Sequence, residues 1–220
     1  VLRGLFVTGT DTGVGKTVVS AAVLHRFRAL PTLRYWKPVQ TGIEADDDTG
    51  EALRLSGLPD DRALHDGVRL PGPFSPHLSA ARAGTAVSLA SLMDVAYSQP
   101  VEHRWIVEGA GGVLVPLNDH ELMIDLMTML ALPVVIVARS GLGTINHTLL
   151  TIDALRERAL AIAGVVMVGP PDPDNRIAIE THGRVAVIAQ LPPLTPLTPA
   201  ALQQHASTLW TQGELDDLLS

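Results

Sequence analysis

Cysteine is absent from the 220 residues, which excludes disulfides, thiolate metal sites and cysteine nucleophiles. Lysine is nearly absent as well: Lys16 and Lys37 stand alone while fourteen arginines carry the rest of the positive charge. Aromatics make up only 4% of the chain, so a core has to be built from Val, Leu, Ile and Ala. An excess of positive charge is missing too. The formal net charge of −7 argues against general nucleic-acid or anionic-membrane binding. An anionic ligand would therefore depend on local positive sites. The eight histidines show no ligand spacing, no uncharged apolar run reaches about 18 residues, and no basic-then-apolar leader opens the sequence. The expectation is a soluble, cytoplasmic protein.

What is present is an alternation. A length of 220 residues suits one domain with a substantial core, residues 1–220. Short apolar runs at 5–7, 33–36, 105–107, 133–138, 163–168 and 185–189 read as buried parallel strands. Helical patterns at 16–30, 49–56, 88–97, 120–130, 145–158 and 175–182 fall between them. Such an order argues for an α/β sheet with helices on both faces. Residues 57–86, rich in Pro and Gly, read as a surface excursion, and the Pro-rich 191–199 as an extended loop before a C-terminal helix.

Both lysines stand where phosphate chemistry would want them. Lys16 ends the run Gly9-Thr10-Asp11-Thr12-Gly13-Val14-Gly15-Lys16-Thr17, which follows an apolar strand and opens a helix. Strand, glycine loop, Lys-Thr and helix form the order of a phosphate cradle. Backbone N–H groups turn inward, the helix dipole adds to them, the lysine reaches the β/γ-phosphates, and the Thr hydroxyl offers an oxygen to Mg²⁺. Five residues separate Gly9 from Gly15, where the strict pattern has four; a tight βα turn with an exposed lysine is the plain alternative. Lys37 closes a second strand before Pro38. Glu108 ends a third and runs into Gly109-Ala110-Gly111-Gly112, the place of a second acidic anchor, or else of a buried structural carboxylate. Asp46-Asp47-Asp48 open a helical stretch, as metal ligands or as acidic residues that suit a helix N-terminus. Gly141-Leu142-Gly143-Thr144 precedes another helix whose N–H groups could hold a carboxylate.

Four segments together resemble the dethiobiotin synthetase family: 7–17, Lys37-Pro38-Val39-Gln40-Thr41-Gly42, 107–112 and Leu142-Gly143-Thr144-Ile145-Asn146-His147, with weaker likeness to about residue 192. The resemblance implies a doubly wound, mostly parallel P-loop sheet acting as a homodimer. It implies joining of 7,8-diaminononanoate and CO₂ at the expense of ATP, with Mg²⁺. By the same resemblance Thr12, Gly13, Val14, Gly15, Lys16 and Thr17 cradle the nucleotide phosphates, and Gly169 and Pro192 border the base. Thr17, Asp48 and Glu108 look like the Mg²⁺ ligands, and Lys16 and Lys37 like the catalytic ammonium groups. The resemblance also puts Thr41 and Gly111 near the diamine. It implies that Gly143, Thr144 and Asn146 grip the far carboxylate across the dimer, and Ser75-Pro76-His77 resembles a substrate-side loop.

The chain also departs from that pattern. Val168 and Gly169 stand where some relatives carry an adenine-reading Asn, so triphosphates other than ATP are expected to serve. Gly13 replaces a Glu found in some relatives. Partition and septum-site ATPases share a similar loop but usually carry a signature lysine where this chain has Asp11. Cobyrinate-type amide synthases need a Cys nucleophile that is absent here. A silent nucleotide sensor is the third alternative.

Overall fold

The computed structural model describes residues 2–210 and 213–219. In chain order its elements are β1 (Arg3–Gly9), α1 (Lys16–Arg26), β2 (Leu33–Trp36), β3 (Val39–Thr41), α2 (Asp48–Ser56), β4 (Ala63–Leu64), β5 (Val68–Leu70), α3 (Pro76–Arg82) and α4 (Leu89–Tyr97). They continue with β6 (Arg104–Gly112), α5 (Met123–Leu130), β7 (Val134–Arg139), α6 (Thr144–Glu157), β8 (Ile162–Val168), α7 (Pro173–Gly183), β9 (Val187–Leu191), α8 (Pro199–Ala206) and α9 (Asp216–Leu219). Seven strands form one sheet in the order β4-β2-β6-β1-β7-β8-β9, and β3 pairs with β5 separately. Every pairing is parallel.

Strand alternation explains why the runs are apolar throughout. Leu5, Val7, Ile106, Val135 and Val137 face one cluster, closed by α1, α2 and α8 through Val19, Ala22, Leu55, Leu202 and Ala206. Phe6, Trp105, Val107, Val134 and Ile136 face the other, closed by α4 to α7 through Leu92, Met127, Ile152 and Ile179. A central parallel strand covered on both sides has no polar face to offer, which is why period-2 polarity never shows in these runs.

Residues 57–86 are not merely a surface excursion. β4 extends the main sheet by pairing Tyr35 with Ala63 and Trp36 with Leu64, while β5 and α3 build a flank beside β3. Strands of two or three residues are too short to show periodicity. Helix α1 stops at Arg26 rather than residue 30.

Helix α5 begins at Met123, not residue 120, because a local turn holds the preceding chain. Asn118 Oδ1 accepts the N–H groups of His120 and Glu121. Asp125 then accepts the Leu122 N–H at 2.8 Å and the Arg158 guanidinium at 2.6 Å. Partial burial works against its ionisation, but those two donors outweigh it and hold the carboxyl below its usual value. Asp125→Ala is expected to lower stability in urea by about 1 kcal/mol near neutral pH. A depressed folded-state value means that this contribution is present above the unfolded pKa, about 4, and is lost as pH falls through the folded value. The gap between wild type and variant should therefore close in acid; a gap that widens on acidification would contradict the assignment.

Candidate active site

Strand order decides where the chemistry gathers. β2, β6 and β1 lie side by side; Lys37 follows β2 and the glycine loop follows β1, while Glu108 lies within β6, which runs on to Gly112 instead of ending at Glu108 as the sequence suggested. In open α/β sheets ligands collect at this edge. Here it opens into a cavity of about 590 Å³.

The loop after β1 is shaped by two backbone demands. Gly15 has φ 98° and caps α1 without a side chain, a conformation that costs other residues a steric penalty. A Cβ on Gly9 would stand 2.8 Å from the Asp11 carbonyl and 3.1 Å from Lys16 Nζ, so glycine lets the loop fold over the lysine. Lys16 is buried and donates to the Asp11 carbonyl at 3.0 Å. Burial, with the Lys37 ammonium adding to it, lowers Lys16 to about 8. Outside the loop, Arg139 reaches Asp11 Oδ2 at 3.0 Å and the Thr12 carbonyl at 3.3 Å.

Opposite Lys16 lies a buried ionic cluster. Lys37 is 2% exposed and Glu108 0%. Lys37 Nζ meets Glu108 Oε1 at 2.8 Å and Asp48 Oδ2 at 2.5 Å. Burial alone would lower Lys37, but the two carboxylates prevail and raise it. Burial likewise opposes ionisation of Asp48, and the Lys37 charge with its hydrogen bonds prevails and lowers it. Both directions say that the ion pair survives desolvation. Thr17 Oγ1 lies 2.9 Å from Glu108 Oε1 and 3.1 Å from Asp48 Oδ1. A hydroxyl has one proton, so it donates to only one carboxylate at a time. Three hard oxygens from α1, α2 and β6 thus converge. Such a set suits Mg²⁺, which takes few protein oxygens and leaves other positions to water and phosphate. Among the described residues no group of three or more His, Asp or Glu forms an all-protein metal cage.

A family model described as an AAA domain matches residues 3–201. The ATP-dependent dethiobiotin synthetase BioD of Paramagnetospirillum magneticum is 49% identical over 201 residues, which cover 91% of this chain and 93% of that protein. The chain belongs to the dethiobiotin synthetase family. The synthetase of Agrobacterium fabrum is 43% identical over 90% of both chains. The biotin biosynthesis bifunctional protein BioCD of Bordetella avium is 46% identical over 99% of this chain and 45% of its own length. Among solved structures, a ParA family ATPase from Chlorobium tepidum has a TM-score of 0.58 at 11% identity, covering 99% of this chain and 96% of its own. The MinC:MinD complex of Aquifex aeolicus has a TM-score of 0.56 at 13% identity, covering 97% and 93%. These two likenesses show the fold alone: a P-loop sheet of the kind expected from the sequence.

Of the residues singled out in the sequence of this dethiobiotin synthetase relative, the phosphate-loop group Thr12, Gly13, Gly15, Lys16 and Thr17 lines the cavity. Lys37, Thr41, Asp48, Glu108 and Gly111 line its other walls. Val14 is buried under the loop. Of the three aspartates, Asp48 meets Lys37 and Thr17, whereas Asp47 caps α2 by accepting the Gly50 N–H. Ser75 and Pro76 reach the cavity with Phe74, while His77 packs behind them, 3.0 Å from Ser75 Oγ. Gly169 and Pro192 lie outside the cavity lining, at the ends of β8 and β9, with the Gly169 N–H bound to the Leu191 carbonyl at 3.0 Å. Gly143, Thr144 and Asn146 do not line it either. The Thr144 hydroxyl donates to the Arg139 carbonyl, and Asn146 is exposed.

Tyr35 and Arg69, which hold the ionic cluster, escaped the sequence reading. Tyr35 donates to Glu108 Oε2 at 3.0 Å, and Arg69 donates to the Lys37 carbonyl at 2.8 Å. Strand alternation, which puts Tyr35 and Lys37 on one face of the chain, was the available signal for the first. Nothing marked Arg69, which arrives from β5. Removing the anion from a buried pair leaves a charge without compensation. Glu108→Leu is therefore expected to cost about 3 kcal/mol in urea unfolding at neutral pH, with Asp48 left as the only carboxylate on Lys37. A loss under about 1 kcal/mol would mean that the ammonium does not need Glu108.

Proposed function

We propose that this chain is an ATP-dependent dethiobiotin synthetase acting on 7,8-diaminononanoate, CO₂ and ATP. An amine of the substrate adds to CO₂ with loss of a proton and gives a carbamate. A carbamate oxygen attacks the γ-phosphorus, and ADP leaves. The second amine attacks the resulting carbonyl and expels phosphate, which closes the ureido ring of dethiobiotin. The observation that carries this reading is the facing pair of lysines: Lys16 on the phosphate loop, and Lys37 held by Glu108 and Asp48 across the same cavity. Attack of one anion on another needs cations between them, and little covalent help from the protein.

In this reading Thr12, Gly13, Val14 and Gly15 offer backbone to the phosphates and Lys16 neutralises them. Lys37 neutralises the carbamate and the phosphoryl group in transit. Thr17, Asp48 and Glu108 would hold Mg²⁺, which supplies further positive charge to the phosphates. Thr41 and Gly111, on the opposite walls, face the diamine. Gly169 and Pro192 border the base; the packing of Gly15 against Val168, whose side chain would lie 3.2 Å from a Cβ there, sets those loops beside the phosphate loop. Gly143, Thr144 and Asn146 would serve the cavity of a second copy in a homodimer. Their place outside the cavity of their own chain supports this, as does Leu142, whose side chain is wholly exposed at 108%. The protein would work in the cytoplasm, and among its described residues no helix is long and apolar enough to cross a membrane.

A nucleotide-switched assembly ATPase is the competing reading, since the fold is shared. Against it, Asp11 stands where such proteins usually carry a lysine and is engaged by Arg139. Phosphate release from Mg-ATP and bicarbonate should depend on 7,8-diaminononanoate, and the product mass should equal the diamine plus one carbonyl less two hydrogens. Release that ignores the diamine would favour the switch. Asp48→Ala should reduce Mg²⁺-dependent turnover about a hundredfold, and Asp46→Ala much less. Equal losses would mean that the wrong carboxylate is assigned.

A further inference from the structure

The chemistry proposed above uses Lys16, Lys37, Thr17, Asp48 and Glu108, and leaves one buried titratable group beside them without a task. Tyr35 is fully buried in β2. Its hydroxyl donates to Glu108 Oε2 at 3.0 Å. The other oxygen, Oε1, is the one that meets Thr17 Oγ1 at 2.9 Å and Lys37 Nζ at 2.8 Å. The carboxylate is thus divided: one oxygen is tied to the interior and one is turned to the cavity. Strand geometry produces this division. Tyr35 pairs in register with Ile106, so its ring lies one strand over from Glu108, two residues further along β6.

We infer that Tyr35 is a positioning residue: its hydroxyl pins Glu108 Oε2 so that Oε1 stays fixed toward Thr17 and Lys37, where a nucleotide-bound divalent cation would sit. The inference rests on the site reading given above and adds to it a group that touches neither nucleotide nor substrate. A carboxylate at the end of a Glu side chain has a broad, two-fold torsion and is not fixed by rotamer preference alone. Without the phenol, Oε2 is a buried acceptor lacking that donor, and both oxygens compete for Thr17 and Lys37. Outer partners of this kind commonly change metal affinity 10- to 100-fold when removed. A phenol that only fills the core would need some acceptor too, and the test has to separate the two roles.

Tyr35→Phe keeps the ring and its packing and removes only the donor. With ADP in EDTA, affinity by calorimetry should match wild type. With Mg²⁺ titrated into the ADP complex, half-saturation should rise about tenfold. An unchanged Mg²⁺ midpoint, whatever happens to stability, would reduce Tyr35 to packing and overturn the inference. A second measurement needs no variant at position 35. The chain has two tyrosines, and Tyr97 is exposed on α4. Tyr97→Phe protein grown with 3-fluorotyrosine therefore carries one fluorine, on Tyr35. Its ¹⁹F resonance should move when Mg²⁺ joins ADP and not with ADP alone; a resonance indifferent to Mg²⁺ would also overturn the inference. Neither measurement uses the diamine, so a failure of the synthetase reading would show in the phosphate assay and leave this result standing on its own.

Discussion

The ammonium of Lys37, buried between Glu108 and Asp48, ties three separate elements to one point, and the geometry of the cavity follows from it. β2 delivers the lysine, β6 the first carboxylate and α2 the second. A charge so deeply buried is tolerable only with close partners. The partners therefore cannot drift, and Thr17, which touches both carboxylates, is located with them. Arg69 fixes the same lysine from behind through its carbonyl. In the proposed reading the cluster would serve as structure and as reagent together, so disturbing it should be felt in both stability and turnover.

The sheet makes this possible at little structural cost. Inserting β6 between β1 and β2 puts Glu108 between the phosphate loop and Lys37. The two apolar clusters on either side of the sheet hold the strand ends in register, so a few side chains at one edge can be brought together. Pre-placed charge is what phosphoryl transfer asks of a protein, because charges that need not reorganise act at full strength. The lowering of Lys16 and the raising of Lys37 follow from different surroundings: one ammonium is buried beside a like charge, the other is clasped by anions.

Much of this was legible in the residues. The six apolar runs all became strands of the main sheet, because strands buried on both faces need no polar alternation to be recognised. Gly-Lys-Thr after a strand placed the phosphate loop, and Glu108 was singled out as an acid between an apolar run and a Gly-rich segment, although β6 continues through that segment to Gly112. β3, β4 and β5 were missed, being two or three residues long and held by pairing partners rather than by their own pattern. Tyr35 was missed because a tyrosine in an apolar run looks like core, and its place on the same face as Lys37 was the one hint of the hydroxyl's contact with Glu108. Arg69 was invisible because its contact is with a main-chain carbonyl thirty-two positions earlier in the chain. Gly143, Thr144 and Asn146 could be picked out only through family likeness, since the ligand proposed for them would sit in the cavity of another copy of the chain.

The central claim is that Lys37 acts as a compact ammonium charge and not simply as a cation. Lys37→Arg preserves the charge but replaces a point by a planar fork in a site shaped by two carboxylates. Turnover of Mg-ATP and diamine, measured beside calorimetric binding of Mg-ADP, separates chemistry from nucleotide capture. The account predicts that turnover falls at least about a hundredfold while nucleotide binding stays within about threefold of wild type. Near-normal turnover in Lys37→Arg would contradict it.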